Sequence, residues 1–461
     1  MNYGDFILFP LFLIILSLFF RVIRKSYKDP LLRKYHRIGF WVKILGCIIF
    51  CLYSVYLYPA DSIGLYQEEG VNIYHLILKN SSHLHWLFQE GKNFDESFLK
   101  NPHNAGYFRS EGNFMVVRFV ALLSFLSGGR YAVTSLFFAS IAFSGVWKLF
   151  LFFYEQYPGM HKKLAIAILL FPSFVFWSSG VLKDTLCIAS LGWITYSLYE
   201  IFYRRKHLLK NSIILFVFGY MLAVLKVYIL ISYAPFFMLF IILKNIQTIK
   251  SKFFKYLLAP FLIMSCLLVF TKILTSYDDE LGGYAVDSVT SSIQQLNDAF
   301  KSMDGDESAE SNFNLGIEFD GTFKGLLKLA PAAIFTTFFR PFIWESHKIS
   351  QLLASVESLL LLFLTLYVIL KSGLFTSIKL VLSDPVIMYC FFFSIVFATF
   401  VGASTLNFGT LVRYKIPCLP FFVISLFLIY EKAKAISSKK VRRISLFLAS
   451  PSTSLIPQVA T

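Results

Sequence analysis

The sequence predicts an all-helical bundle of about eleven transmembrane helices, with interfacial helices on its outer face. The composition is the first observation behind this prediction. The 461 residues are 57% hydrophobic and only 15% charged, and the mean hydropathy is +0.65, whereas soluble domains carry about 25% charged residues. The second observation is that the apolar residues form runs of roughly 20, which is the length that crosses a bilayer as a helix.

The first apolar run, 6–20, has no Lys or Arg before it and a basic cluster from Arg21 to Arg37 after it. A cleavable secretory signal has the opposite order of charge. The run therefore predicts a first membrane span with the N-terminus outside.

Ten further spans follow in the sequence. Their predicted ranges are 38–58, 131–152, 164–182, 185–203, 211–226, 228–243, 256–274, 349–370, 380–401 and 414–430. With this set, every strongly basic loop lies on one side, which the positive-inside rule makes cytoplasmic. The acidic loop 276–325 lies on the opposite side. The net charge of +16 therefore belongs to loops beside membrane spans and does not indicate nucleic-acid binding.

Two apolar runs are too short to be counted as spans. The run 115–127 contains Arg118, and the run 326–339 ends at Arg340. Counting either as a span would move the basic C-terminal segment outside, so both are predicted to be interfacial or re-entrant helices on the outer side, covered by protein.

The chain is accordingly predicted to be one transmembrane domain, 1–443, followed by a cytoplasmic tail, 444–461. The extracytoplasmic loops 59–130 and 275–348 carry the interfacial helices. The predicted location is the inner (plasma) membrane, with the N-terminus outside and the C-terminus in the cytoplasm.

Cations at the outer ends of the spans are candidates for binding a phosphate group. Charge at membrane depth is costly and is usually paired or functional, and Arg and Lys are the natural donors to a phosphate. The predicted phosphate- and substrate-binding residues are Lys183, Lys226, Tyr228, Arg340, Asn407, Arg413 and Tyr414.

Carboxylates at the same level are candidates for catalysis, because activation of a sugar hydroxyl needs a general base. The predicted catalytic residues are Asp61, Glu68, Glu69, Asp184 and Glu345. Aromatic residues beside these charges offer flat surfaces for sugar rings: Tyr66, Trp177, Tyr228, Trp344 and Tyr414.

The sequence contains no metal-binding or nucleotide-binding motif, and its six Cys lie in apolar segments without metal-ligand spacing. We therefore predict neither a metal nor another cofactor.

Some of these residues resemble known motifs. Asp61, shortly after a span and followed by Tyr66, resembles the first outer loop of the GT-C type glycosyltransferases, in which an Asp serves as the base. Arg413 and Tyr414, followed by two prolines, resemble the Arg-Tyr motif near the end of protein-mannosyltransferase-like members. The outward N-terminus, the basic first loop and Asp61 are also similar to the O-antigen and exopolysaccharide polymerase family. This resemblance covers a few short motifs and implies a polyprenyl-linked sugar donor.

The sequence thus favours a membrane enzyme of cell-envelope polysaccharide assembly. It predicts a glycosyltransferase or a glycan repeat-unit polymerase that uses a polyprenyl-phosphate-linked sugar or oligosaccharide at the extracytoplasmic face of the lipid bilayer. Two alternatives remain open: a transporter or flippase of a glycan precursor, and a non-catalytic envelope assembly protein. A transporter is expected to place charges at mid-bilayer facing a cavity, whereas the candidate residues gather at one face.

Overall fold

The computed structural model of the chain describes residues 3–58, 61–108, 110–246, 312–313, 315–316, 323–346 and 349–449. The predicted span 256–274 and most of the acidic loop 276–325 lie outside these residues. Within them the chain forms helices, turns and loops and no strand, so the all-helical prediction is confirmed.

The α-helices of this part of the chain are α1 (Tyr3–Lys25), α2 (Pro30–Tyr56), α3 (Glu68–Lys79), α4 (Ala105–Phe108), α5 (Glu111–Ser127), α6 (Tyr131–Gln156), α7 (His161–Ile168), α8 (Pro172–Trp177), α9 (Lys183–Tyr199), α10 (Leu208–Ile246), α11 (Phe323–Phe339), α12 (Ile349–Ser372), α13 (Leu374–Ser383), α14 (Pro385–Ser404), α15 (Phe408–Tyr414) and α16 (Leu419–Ala449). Two π-helical segments are present, Asp61–Gln67 and Glu200–Arg204. Short 3-10 turns lie at Ser81–Leu87, Gly91–Asn93, Glu96–Phe98, Pro102–Asn104, Pro158–Met160 and Ile343–Glu345.

Seven helices of the described residues are long and apolar enough to cross a membrane, which indicates a multi-pass membrane protein. They are Ile7–Lys25, Pro30–Tyr56, Tyr131–Gln156, Lys183–Arg204, Leu208–Ile246, Gln351–Ser372 and Pro385–Ser404. The number rises to nine if each of two bent pairs counts as one span, namely Pro102–Phe108 with Glu111–Ser127 and Phe408–Tyr414 with Leu419–Ser438.

The predicted span 164–182 is not one continuous helix. It includes most of the short helix α7, which ends at Ile168, and the short helix α8, which begins at Pro172 and ends at Trp177. A proline has no backbone N–H to continue the ladder of the preceding helix, so it begins a new helix instead.

Helix α10 reverses direction at Lys226, whose φ of −156° and ψ of 79° are not helical. Before the reversal, Phe218 stacks on Trp193 of α9, with ring centroids 5.6 Å apart. After it, the Tyr233 hydroxyl donates to Thr195 of the same helix at 2.7 Å. The two arms of α10 therefore lie side by side along α9, in the places of two predicted spans.

Close packing of small residues fixes α9 against α6. A Cβ atom at Gly145 would collide with the backbone of Ala189, and one at Gly192 would collide with the backbone of Gly145. The two helices therefore touch backbone to backbone, which is the usual role of small residues between membrane helices. This contact sets the position of the N-terminal end of α9.

Helix α11, which contains the apolar run 326–339, packs along α14. The Thr337 hydroxyl donates to the carbonyl of Ala398 at 2.9 Å, and Gly402 leaves no room for a Cβ beside Ala333. Helix α5, which contains the run 115–127, packs on α3 and reaches the reversal of α10. There Gly112 lies against the carbonyls of Val224 and Leu225.

Helix α9 with its π-helical extension connects two ends of the bundle, which we call the Asp184 end and the Arg204 end. The 22 residues from Lys183 to Arg204 span about 33 Å at 1.5 Å per residue. At the Arg204 end, Lys244 of α10 donates to Gln156 of α6 at 3.1 Å. The final helix, α16, continues to Ala449, into the predicted tail.

Candidate functional site

Four charged residues meet at the Asp184 end, and we call them the Asp184 cluster: Asp61, Asp184, Lys226 and Arg413. Asp184 accepts from Arg413 Nε through Oδ2 and from Lys226 Nζ through Oδ1, each at 2.5 Å. Arg413 also donates from Nη1 to Asp61 Oδ2 at 2.9 Å. Residues as far apart in sequence as 61 and 413 therefore form one connected ion-pair network.

Each member of the cluster lies at a break or an end of a helix. Asp184 is in the first turn of α9, where a negative charge is favoured by the partial positive charge of the helix N-terminus. Lys226 is the reversal point of α10, Arg413 is in the last turn of α15, and Asp61 begins a π-helical segment. Because the helices end or are interrupted at these four positions, the charged side chains can approach one another. Continuous helices would place apolar faces there instead.

Burial differs strongly among the four side chains. Asp184 is 0% exposed, Lys226 is 7% and Arg413 is 15%, whereas Asp61 is 47% exposed. Two carboxylates and two cations balance in charge, which is the condition for keeping charged groups away from water. Asp184 is thus the fixed centre of the cluster, and Asp61 is its accessible member.

Aromatic rings surround the cations. Lys226 Nζ lies 3.8 Å from the centroid of the Tyr414 ring and 5.9 Å from that of Tyr228, distances at which cation–π attraction contributes. Tyr66 is buried and donates from its hydroxyl to Asn113 Oδ1 at 3.1 Å. Burial raises the pKa of the Tyr66 phenol well above its usual range, so it remains a donor.

Lys183 precedes Asp184 and is half-buried. Lys226, Arg413 and Asp184 lie near enough for their charges to interact with that of Lys183. Its amine makes no hydrogen bond or ion pair with any residue that the structure describes, unlike the amine of Lys226. The Asp184 cluster and Lys183 together contain three cations and two carboxylates.

Arg340 and Glu345 form a separate pair in the loop after α11. The carboxylate accepts from Arg340 Nε at 3.0 and 3.1 Å, and also from the backbone N–H of Phe342 at 2.8 Å. Burial alone would raise the pKa of Glu345, but these hydrogen bonds lower it below the ordinary value. The Arg340 guanidinium lies 5.2 Å from the Phe313 ring centroid and 5.1 Å from that of Phe408.

Lys415 connects the Arg340 pair to the helix that carries Arg413. Its amine is buried and donates to the Arg340 carbonyl at 3.3 Å and to Ser358 Oγ at 3.0 Å. Phe408, which contacts the Arg340 guanidinium, lies at the start of α15, and Arg413 lies near its end. One short helix therefore contributes to both groups of charges.

Three other predicted site residues have local partners. Glu68 lies 3.6 Å from Lys100 in a solvent-exposed ion pair. Glu69 is buried and accepts from the backbone N–H groups of Lys100 at 3.0 Å and Asn101 at 2.9 Å. Asn407 caps α15 by accepting from the N–H of Gly409 at 2.9 Å. Neither Glu68 nor Glu69 makes a hydrogen bond or ion pair with a member of the Asp184 cluster.

Two charged residues inside apolar helices were not among the predicted site residues. Lys43 lies in the middle of α2, is buried, and donates to Ser178 at the end of α8. Glu357 in α12 accepts from the backbone N–H of Ser173 at 2.8 Å and from its hydroxyl. Lone charges in apolar runs are the signal that marks both of them, because such residues are rare in membrane helices.

The arrangement suits binding of an anion and transfer of a proton. Both carboxylates of the Asp184 cluster are engaged by cations, and a half-buried amine lies beside them. The residues that the structure describes contain no group of three or more His, Cys, Asp or Glu side chains placed to hold a metal ion.

No protein-family model, curated protein or solved structure matches this chain.

Proposed function

We propose that the chain is a membrane glycosyltransferase or glycan repeat-unit polymerase, and that the Asp184 cluster is its active site. The observation that supports this most is the convergence of Asp61, Asp184, Lys226 and Arg413 at one end of an apolar helical bundle. A buried, charge-balanced network is costly to assemble, and removing a single partner is strongly destabilising. Such networks in membrane proteins are usually functional.

The donor in this proposal is a sugar or oligosaccharide linked to a polyprenyl phosphate. Arg413 and Lys183 bind the phosphate, since guanidinium and ammonium groups are strong donors to phosphate oxygens. Lys226 and Asp184 hold Arg413 in place. Tyr414 provides a ring face beside the charged groups.

Asp61 is the general base of the proposed reaction, because it is the accessible carboxylate of the cluster. The acceptor hydroxyl oxygen forms a bond to C1 of the donor sugar and passes its proton to Asp61. The bond between C1 and the phosphate oxygen breaks, and the phosphate leaves with the bonding electron pair. The same chemistry serves a single-sugar transferase and a polymerase.

The lipid tail of the donor would lie among the helices. A cavity of about 410 Å³, lined mostly by apolar residues, lies between α11, α12, α13, α14 and α16. Two of its lining residues, Phe338 and Phe339, directly precede Arg340. A tail in this cavity would therefore begin close to a loop that carries a cation.

The proposed location is the inner membrane, with the Asp184 end outside and the Arg204 end in the cytoplasm. Reporter fusions after Lys25, Arg205 and Arg443 are expected to be cytoplasmic, and a fusion at Asp95 external. An external reporter after Arg443 would place the cluster on the wrong face for this proposal.

A transporter or flippase is the second candidate, and Lys43 and Glu357 favour it. Both lie inside apolar helices and are not members of the Asp184 cluster, as charges along a translocation path would be. The two candidates differ in product. If the chain is a transferase, cells with an inactive variant fail to form the glycosidic bond. If it is a flippase, cells with an inactive variant accumulate the complete lipid-linked precursor on the cytoplasmic face.

The test is glycan profiling in a strain that lacks the gene and is complemented with variants. Asp61→Asn keeps the shape of the side chain but removes its basicity, so the polymer or transferred sugar should be lost. Asp384→Asn is the matched control, because Asp384 is a paired carboxylate at the Arg204 end. Normal glycan from Asp61→Asn, at normal protein level, would exclude Asp61 as the base.

A further inference from the structure

We infer that a phosphate group binds between Lys183 and Arg413 by replacing Asp61 as the partner of the guanidinium. The identification of the anion as a lipid phosphate rests on the proposed function. The exchange itself is inferred from the geometry of the Asp184 cluster. Asp61 is then a counter-ion that leaves Arg413 when the ligand arrives, and Asp184 is a permanent one.

The two carboxylates on Arg413 are unequal. Asp184 is fully buried, uses both of its oxygens and is shared with Lys226. Asp61 is 47% exposed and makes one bond of 2.9 Å to the guanidinium. An exposed ion pair contributes little free energy, whereas a buried one cannot be broken without leaving an uncompensated charge. Only Asp61 can be exchanged at low cost.

The guanidinium has one edge available for this exchange. Asp184 engages Nε, and Asp61 engages Nη1 alone. The edge formed by Nη1 and Nη2 can donate two parallel hydrogen bonds to a phosphate, which is the strongest arrangement that an arginine offers. The ligand therefore replaces a single bond to Asp61 with a two-point contact.

Charge balance points to the same ligand. Lys183 is half-buried and makes no hydrogen bond or ion pair with the described residues, although three charged groups lie around it. Once Asp61 has moved away, Lys183, Lys226 and Arg413 face Asp184 alone. The excess of two positive charges matches the phosphate monoester that leaves in the proposed transfer, which carries about −1.5 to −2 at neutral pH. The sugar-linked donor is a phosphodiester with a single negative charge, so this charge balance favours the leaving group.

The exchange also explains how Asp61 can serve as a base. While Asp61 Oδ2 accepts from Arg413 Nη1, that oxygen is occupied by the guanidinium. Release from Arg413 at the moment of phosphate binding frees it to accept from the acceptor hydroxyl. Donor binding and activation of the acceptor are thereby linked in one step.

The experiment measures binding to the purified full-length protein in lipid nanodiscs, with farnesyl phosphate as the probe. Asp61→Asn should bind the probe about tenfold more tightly than the parent, which corresponds to loss of a competitor of roughly 1.4 kcal/mol. Lys183→Gln should bind it about tenfold more weakly, and Lys183→Arg should restore binding. Asp384→Asn should bind like the parent.

Two further probes identify the source of the phosphate. Inorganic phosphate should show the same order of variants at lower affinity if the headgroup site alone is occupied, and farnesol should not respond to the variants. Equal or weaker binding of farnesyl phosphate by Asp61→Asn would overturn the exchange, as would unchanged binding by Lys183→Gln in a protein of normal melting temperature.

Failure of the exchange and failure of the proposed function give different results. If the binding order holds but the glycans of an Asp61→Asn strain are normal, the anion site stands and the transferase proposal fails. If the glycans are lost but the variants bind farnesyl phosphate equally, the transferase proposal stands and the exchange fails.

Discussion

The two ends of the bundle use the same kinds of charged residues in opposite surroundings. At the Arg204 end, Lys163 pairs with Glu431 and Lys432 pairs with Asp384, and the lysines are about one-third exposed. At the Asp184 end, Lys226 and Asp184 are 7% and 0% exposed. The same pairing chemistry therefore has different consequences at the two ends.

Exposure decides what each ion pair can do. Pairs that remain in contact with solvent contribute about 0–1 kcal/mol, and salt screens them. Pairs taken away from water need complete mutual compensation. The Arg204 end thus has charged pairs that suit a membrane surface, whereas the Asp184 end maintains buried charges, which fits the proposed active site.

Substitution of a paired carboxylate should lower the free energy of unfolding far more at the Asp184 end than at the Arg204 end. Asp184→Ala leaves Lys226 and Arg413 buried without their shared partner, so the free energy of unfolding should fall by about 3–5 kcal/mol. Asp384→Ala removes the cap of α14 as well as an ion pair, and should cost about 1–2 kcal/mol. Unfolding of both variants in mixed detergent micelles measures the difference. Equal losses would show that burial of Asp184 has no special energetic consequence.

A paired replacement should separate stability from function. Asp184→Leu with Lys226→Met removes both charges together, and an apolar pair of similar volume is often neutral or stabilising. The double variant should recover about 2 kcal/mol relative to the sum of the single variants. Glycan synthesis should nevertheless remain lost. A double variant that is stable and active would show that the Lys226–Asp184 pair is structural.

Arginine at position 413 should be required for its geometry as well as its charge. Arg413→Lys keeps the charge but cannot reach Asp184 and Asp61 from one planar group. Loss of charge-assisted hydrogen bonds worth about 1.5–3 kcal/mol should lower transfer by roughly 10- to 100-fold. Arg204→Lys is the matched control at the other end, and its glycan profile should equal that of the parent.

The candidate residues predicted from the sequence include all four members of the Asp184 cluster, but the sequence does not predict which candidates meet or how they contact one another. Asp61, Asp184, Lys226 and Arg413 were all named as candidates, because loop charge placed them at one bilayer level. That reasoning assigns a depth to a residue and says nothing about its neighbours. It therefore did not reveal that Asp184 receives two cations while Asp61 receives one.

The same reasoning could not separate cluster members from other polar residues at that level. Glu69 and Asn407 satisfy backbone N–H groups of nearby turns, and such contacts depend on loop conformations that hydropathy does not encode. Lys43 was overlooked because a single lysine does not interrupt an apolar run. The break between α7 and α8 was overlooked for a related reason: hydropathy continues through Pro172 although the helix does not.

The Arg340–Glu345 ion pair is intermediate in exposure between the pairs of the Arg204 end and the Lys226–Asp184 pair. Its disruption by acid should therefore have the smallest effect on the stability of the protein. Arg340 and Glu345 are 18% and 20% exposed, and the pKa of Glu345 is lowered because the hydrogen bonds from Arg340 and from Phe342 N–H outweigh the effect of burial. A lowered pKa in the folded state stabilises the loop above the ordinary value of 4.5. That stabilisation disappears as the pH falls through the folded-state pKa.

Below pH 4.5 the loop should therefore loosen around Trp344, which is 77% exposed and stacks on Phe342. The difference in fluorescence between the parent and Trp344→Phe isolates this one indole among the six Trp. Its signal should change at acidic pH in the parent and show no transition there in Glu345→Gln. A transition that persists in Glu345→Gln would assign the acid sensitivity to another group and make the Arg340 pair energetically similar to the exposed pairs of the Arg204 end.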